Sequence, residues 1–237
     1  NPGQPGSPSS KNRLNRMLSV SFWGVTGALL FGFGNSLLIF FFTLLFALPL
    51  GFVFAFGAMS RIKGLRWFFR GFIWVIRGTP LMLQVIVVFY GPGLLFGPTF
   101  SFQSRLAAVI LAFAINYACY FGEIYRGGIE SIPQGQYEAA KVLGLNRKQT
   151  FANITLPQVI KRIIPAMSNE IITLIKDTAL ANIIAVGEII MVAKETVSIN
   201  GVLWPLFFTA AFYLLFSGLL TLIFNKFEAH YRYYRSI

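Results

Sequence analysis

The residues best placed to do chemistry lie inside apolar stretches. Glu170, Thr173 and Asp177 fall at i, i+3 and i+7 and so share one helix face, with Asn169, Thr173 and Lys176 forming an overlapping stripe one step round. Asn116, Tyr120 and Glu123 repeat the pattern at i, i+4 and i+7 in a second apolar segment. A Lys or Asp at the centre of a membrane helix costs roughly 2.5–3.5 kcal/mol, so such groups face a protein interior or a water-filled path. Two polar stripes on neighbouring helices can frame a route for a zwitterion. A carboxylate would hold the ammonium, and Lys176 or amide donors the carboxylate. A structural reading stands beside this one: Glu123 and Glu170 sit at the cytoplasmic ends of their helices and pair with Arg126, Lys161 or Arg162. Gln84 is likewise either a path residue or a bond to a neighbouring helix. Trp204 and Tyr213 read as interface anchor and packing.

Covalent chemistry finds no cast. Cys119 is the only cysteine and His230 the only histidine, which leaves no thiolate metal cluster and no nucleophile–base pair. No G-x-x-x-x-G-K-[ST] string occurs, so the chain has no phosphate-cradling loop of its own. Neither catalytic nor metal-binding residues are expected.

The elements that carry these stripes follow from composition. The 237 residues are 56% hydrophobic and only 12% charged, with a mean hydropathy of +0.67. That is half the charge of a soluble domain, and it predicts a chain whose solvent is mostly lipid. The net charge of +12 reads as basic cytoplasmic loops and not as a nucleic-acid surface, because no soluble basic stripe carries interleaved aromatics. A crossing helix needs roughly 20 apolar residues. The pattern predicts an all-α membrane protein with five transmembrane helices at about 35–59, 79–96, 105–125, 166–190 and 203–225. Gly32–Ser36 is expected to divide the charge-free run 17–60, leaving 17–31 as a short interfacial segment. Thr79 is expected to cap the helix that Pro80 opens, and 65–76 to form a basic, aromatic helix on the membrane surface. Residues 1–16 read as a disordered tail, 32–229 as the membrane domain and 230–237 as a cytoplasmic tail. Of 20 basic residues, all but Lys11, Arg13, Arg16, Arg105 and Lys194 would then fall in inner loops and tail, which sets the N-terminus outside and the C-terminus in the cytoplasm.

One loop, 127–165, is long and soluble enough to meet a partner. Gln134–Leu143 reads as a helix, Gly144 as its left-handed close, and Asn146 with Gln149 as a capping box opening a second helix. Glu138-Ala139-Ala140, then Gly144, then Ile154-x-Leu156-Pro157 resembles the EAA loop, a cytoplasmic helix-turn-helix, of permease subunits of bacterial ABC importers. Arg77-Gly-Thr-Pro-Leu81 with Gln84, Glu123-Ile-Tyr-Arg-Gly127, Gly135-Gln136, Pro165-Ala-x-x-Asn169-Glu170 and Lys176-Asp-Thr-Ala-Leu180 are similar to the polar amino acid branch of that family. The resemblance spans about 65–190.

The resemblance implies a multi-pass permease of the bacterial cytoplasmic membrane, paired with itself or a sister permease. Two cytoplasmic ATPase subunits would dock on the EAA loops, and an extracytoplasmic amino-acid-binding protein would deliver the solute. ATP and Mg would be bound by the ATPase, with no cofactor in this chain. The coupling helix would be Tyr137–Leu145, with Ala139, Ala140 and Leu143 in a groove of the ATPase, Gly144 making the turn to Leu145, and Glu138 fixing the loop by hydrogen bonding.

Overall fold

The computed structural model describes residues 22–232, where every regular element is helical. The sequence-predicted tail 1–16, the start of segment 17–31 and the end of 230–237 lie outside the described residues. The helices are α1 (Phe22–Ala58), α2 (Lys63–Gly78), α3 (Leu81–Phe96), α4 (Arg105–Glu130), α5 (Gln134–Val142), α6 (Arg147–Thr150), α7 (Leu156–Asp177), α8 (Ile189–Asn200) and α9 (Trp204–Arg232). A π turn at Phe151–Thr155 leads into α7, and a 3-10 segment, Thr178–Ile184, leaves it.

Three of these, α1, α4 and α9, are long and apolar enough to cross a membrane; α2 and α3 together make a fourth if their bent pair is one span. By itself α3 has 16 residues, about 24 Å, which is short of a hydrocarbon core of about 30 Å.

Two expected boundaries are corrected. Gly32–Ser36 does not divide the first apolar run, because α1 is one helix of 37 residues, about 55 Å, with Pro49 inside it. A mid-helix glycine weakens a helix by only about 1 kcal/mol, and Gly32 serves another contact: a Cβ there would lie 3.0 Å from the Ile189 backbone of α8. The expected span 166–190 is also not one helix. The α7 helix starts earlier, with Pro157 in its first turn, and ends at Asp177. The chain then tightens through the 3-10 turn, reverses at Ala185 in the left-handed region (φ 56°), and restarts at Ile189.

The core lies where α1 crosses α4. Between membrane helices the lipid supplies no hydrophobic drive, so close packing of small residues must hold them together. The buried edge of α1 carries Ser36, Thr43, Ala47, Gly51, Ala55 and Ala58, and that of α4 carries Ala108, Ala112, Ala118 and Gly122. The two backbones touch at paired glycines. A Cβ on Gly51 would meet Phe121 Cβ at 3.0 Å, and one on Gly122 would meet Phe54 Cβ at 3.0 Å and the Gly51 carbonyl at 3.1 Å. Phe52 stacks on Tyr125 beside them, ring centroids 4.1 Å apart.

Candidate functional site

The polar side chains gather in three clusters along α4. The first stands at the elbow between α2 and α3, whose axes bend by 107°. Pro80 has no N–H, so the Ile76 carbonyl loses the donor that would continue the helix. The Gln84 amide takes its place. Its Nε2 donates to the Ile76 carbonyl at 2.7 Å and reaches the Thr79 carbonyl (3.1 Å) and Oγ1 (2.9 Å). Asn116 Nδ2 in turn donates to Gln84 Oε1 at 2.9 Å, tying the elbow to α4. Thr79 does not cap α3 as expected: its hydroxyl turns back to the Val75 and Ile76 carbonyls, closing α2, and Pro80 itself is the residue before α3. A break in the backbone of a membrane helix is tolerated only where such groups are re-satisfied.

The second cluster joins α4 to α7. Tyr117 Oη donates to Asp177 Oδ2 at 2.7 Å, and Tyr117 is almost wholly buried. Glu170 and Thr173 lie half-buried on α7, while Asn169 and Lys176 are exposed on it. The α7 face with Glu170 and Asp177 thus meets α4 through Tyr117, a residue one position off the Asn116–Tyr120–Glu123 stripe. That stripe gave no sign of it; the only local signal is a tyrosine amid Ala114, Ala118 and Phe121, where an apolar residue would serve for packing alone.

The third cluster is an ion-pair chain near the end of α4. Glu123 receives both Nε and Nη2 of Arg126, at 3.1 and 2.6 Å, and Arg126 Nη1 also reaches Glu130 at 2.5 Å. Arg77 approaches Glu123 at 3.8 Å with its guanidinium 4.9 Å over the Tyr120 ring. Bidentate pairing of this kind occupies the carboxylate. Glu123 is therefore held by two arginines in this structure, Tyr120 backs one of them, and Asn116 is engaged by Gln84.

A fourth polar centre was missed. Glu188 is fully buried and caps α8, accepting from Ile190 N–H and Met191 N–H at 2.8 Å each, with Tyr213 Oη of α9 at 3.5 Å. Next to it, Asn35 Nδ2 of α1 donates to the Gly187 carbonyl at 2.8 Å. The signal lay in Gly187-Glu188 ahead of Ile189-Ile190, a break followed by a restart, which a continuous span had absorbed.

The soluble loop has the expected corner. Gly144 is left-handed (φ 74°), and Asn146 and Gln149 form a reciprocal capping box at 2.9 and 3.0 Å. Gln158 donates to Gln136 at 3.2 Å, and Arg162 donates to the Ser131 carbonyl, fixing the corner to α7. Two expectations need correction. Ala140 is fully buried within its own chain and offers nothing to a partner's groove, because α5 turns this side toward its own loop. Glu138 is exposed and makes no hydrogen bond or ion pair among the described residues. The exposed apolar residues at the tip are Val142 (88% exposed) and Leu143 (74%), with Ala139 exposed and Leu145 half-buried beside them.

Comparison with known proteins gives this arrangement a context. The profile of a family described as binding-protein-dependent transport system inner membrane component matches residues 47–233. The chain is 36% identical over 181 residues to the L-cystine transport system permease protein TcyB of Bacillus subtilis, covering 76% of this chain and 74% of that one. It is 38% identical over 162 residues to the octopine transport system permease protein OccM of Rhizobium radiobacter, covering 65% of this chain and 66% of OccM. Among solved structures, a chain from a crystal structure of an amino acid ABC transporter with histidines superposes with a TM-score of 0.81 at 29% identity, over 89% of this chain and 97% of that one.

Proposed function

The chain belongs to the family of binding-protein-dependent transport system inner membrane components, and on that premise we propose that it moves polar amino acids inward with power supplied through its EAA corner. It is a permease component of an amino-acid ABC importer, and ATP hydrolysis resides in a separate chain. The transport systems that name two relatives carry L-cystine, an amino acid, and octopine, an amino-acid derivative. The observation that carries the finer reading is the corner at Gly144. A left-handed glycine followed by a capping box makes a stiff wedge, and Val142 and Leu143 stand bare at its tip. Such a wedge transmits displacement, where a slack loop would absorb it.

In this reading two copies of a cytoplasmic ATPase, which bind ATP and Mg, receive the tips of two permease chains, this one and either a second copy or a sister. An extracytoplasmic binding protein delivers the amino acid. The C-terminus and the corner are cytoplasmic, the N-terminus is outside, and α7 with its charged face is the fifth crossing, reached by adding it to α1, the α2–α3 pair, α4 and α9. The face of Glu170, Thr173 and Asp177 lines the solute path. Rigid-body rocking between inward- and outward-open states follows closure of the ATPases.

The test is co-purification of the detergent-solubilised permease with its ATPase, comparing the wild type with Leu143→Asp and Gly144→Asp. Retention by the wild type and loss in both variants, with the variants still monodisperse, is the expected result. An ATPase that stays bound to both variants places coupling elsewhere. A permease that moves solute in liposomes without any ATPase refutes the powered reading.

A further inference from the structure

The α2 helix carries chemistry that solute transport does not use. No acidic residue precedes Glu123 in the sequence, yet Arg61, Lys63, Arg66, Arg70 and Arg77 crowd into and around this one helix. Arg77 is engaged with Glu123. The other four take no ion-pair partner among the described residues. Arg70 spends only its Nε, on the Ala58 carbonyl at 3.1 Å, which leaves its two terminal nitrogens without a hydrogen-bond partner among the described residues.

Aromatic side chains frame these cations. Trp67 and Trp74, two turns apart, are 76% and 77% exposed. Between them Gly71 has open space where a side chain would begin, with no atom within 4 Å of a Cβ placed there. Arg66, Trp67, Arg70, Gly71 and Trp74 together line a cleft of about 550 Å³. Ile73 is buried with Ala58 and Cys119, with Phe69, Phe72 and Ile76 packed against them, which pins α2 to the bundle beside the cleft. With α3 as the part of the bent pair that enters the membrane, the 107° bend turns α2 toward the membrane plane. Indoles sit at the headgroup level of a bilayer and basic residues favour anionic lipid there.

We propose that this cleft is a seat for one anionic phospholipid, its phosphate held between the Arg66 and Arg70 guanidiniums and its glycerol region filling the notch at Gly71 between the two indoles. Charge selects the occupant: two forks at i and i+4, neither in ion-pair contact with a carboxylate among the described residues, match a phosphate, and the flanking indoles match the apolar chains below it. The seat differs from general surface attraction in having a shape. It also belongs to a different face from the wedge at Gly144 and from the polar face of α7, so it stands whether or not the powered-import reading does.

The experiment uses the full chain in nanodiscs with Trp23→Phe and Trp204→Phe, which leaves Trp67 and Trp74 as the only emitting indoles. Brominated phosphatidylglycerol and brominated phosphatidylcholine are compared as quenchers at equal low mole fraction. Each basic residue near an anionic surface contributes about a fivefold preference, so the glycerol lipid should quench as if enriched at least about fivefold. Arg66→Gln should lower that preference about fivefold, and Arg61→Gln, outside the cleft, by less than about twofold. Gly71→Leu keeps every charge but fills the notch, and should leave only a preference that about 1 M salt abolishes. In about 1 M salt, where the screening length is about 3 Å, a seated headgroup keeps most of its preference. Equal quenching by the two lipids in the wild type overturns the proposal. So does a Gly71→Leu variant with full selectivity, or wild-type selectivity abolished by salt, either of which leaves only diffuse surface charge.

Discussion

Replacing Gln84 with leucine tests the account of the elbow most directly. In the native structure one amide substitutes for the donor that Pro80 lacks, and its oxygen satisfies Asn116, which is 5% exposed. Leucine keeps the volume but strands the Asn116 amide and leaves the Ile76 carbonyl with only the longer bonds from Thr79 N–H (3.4 Å) and Oγ1 (3.3 Å). A buried polar group left unsatisfied costs about 1–3 kcal/mol, while side-chain bonds between membrane helices average about 0.6 kcal/mol because the unfolded state finds other partners. Gln84 is only half-buried, which puts the expected loss at about 2 kcal/mol, between those limits. The assay is reversible unfolding of the purified chain in mixed micelles by increasing denaturing detergent. Asn116→Leu alone should cost about as much, since it strands the Gln84 oxygen. The double variant removes both partners of that bond and should be more stable than the summed singles by about 1 kcal/mol. Strict additivity, or a loss below about 0.5 kcal/mol for Gln84→Leu, would show that water already satisfies the elbow and that the Gln84 bridge is incidental.

Two further substitutions probe the packing and the buried carboxylate. Gly122→Ala drives a methyl to 3.0 Å from Phe54 and should destabilise by about 1–3 kcal/mol; Gly127→Ala, in the same helix with open space at its Cβ, should stabilise by up to about 1 kcal/mol. The pair is read in the same unfolding assay, and equal signs would contradict the contact. Glu188→Ala leaves the Ile190 and Met191 N–H groups without their acceptors and should cost about 2–4 kcal/mol, whereas Glu188→Gln, which retains one acceptor oxygen, should lose about half of that. Amide hydrogen exchange at 189–192 reports the difference locally, and unchanged protection in Glu188→Ala would remove the cap from the account.

What the sequence disclosed was local. Asn146 and Gln149 are three residues apart, and both halves of their capping box close within one turn, so residue types suffice to read it. Gly144 is legible for the same reason, since the need for a left-handed residue between two short helices is a local need. Gly32 misled because its lack of a side chain answers to Ile189, more than 150 positions away, and a close approach between helices leaves no mark on either strand of sequence alone. The α7 bounds failed in a similar way: apolar content in 171–186 counted toward one helix, while the break is enforced by Glu188 capping a new helix and by Asn35 holding the Gly187 carbonyl. Thr79 was read in the right turn but in the wrong direction, as a hydroxyl serves the helix behind it as easily as the one ahead. For the candidate path, the polar stripe on α4 was found and its link to α7 was not, because a tyrosine facing Asp177 looks like any packing aromatic until the helices are set side by side.

The paired glycines of α1 and α4 also limit how this molecule can change shape. Where side chains interdigitate, helices slip past one another by an ångström or two through small rotamer changes. At Gly51 and Gly122 no side chain stands between the backbones, and any slide drives Phe54 or Phe121 into main chain. The two helices therefore form a keyed joint that translates and tilts as a single block. The seam between that block and α7 is of another kind: side chains of Ile163, Leu174 and Ile175 fill it, and the Tyr117–Asp177 hydroxyl bond crosses it. A permease so built can rearrange at this seam only by repacking side chains, and Asp177, the carboxylate that reaches across it, would feel that repacking first.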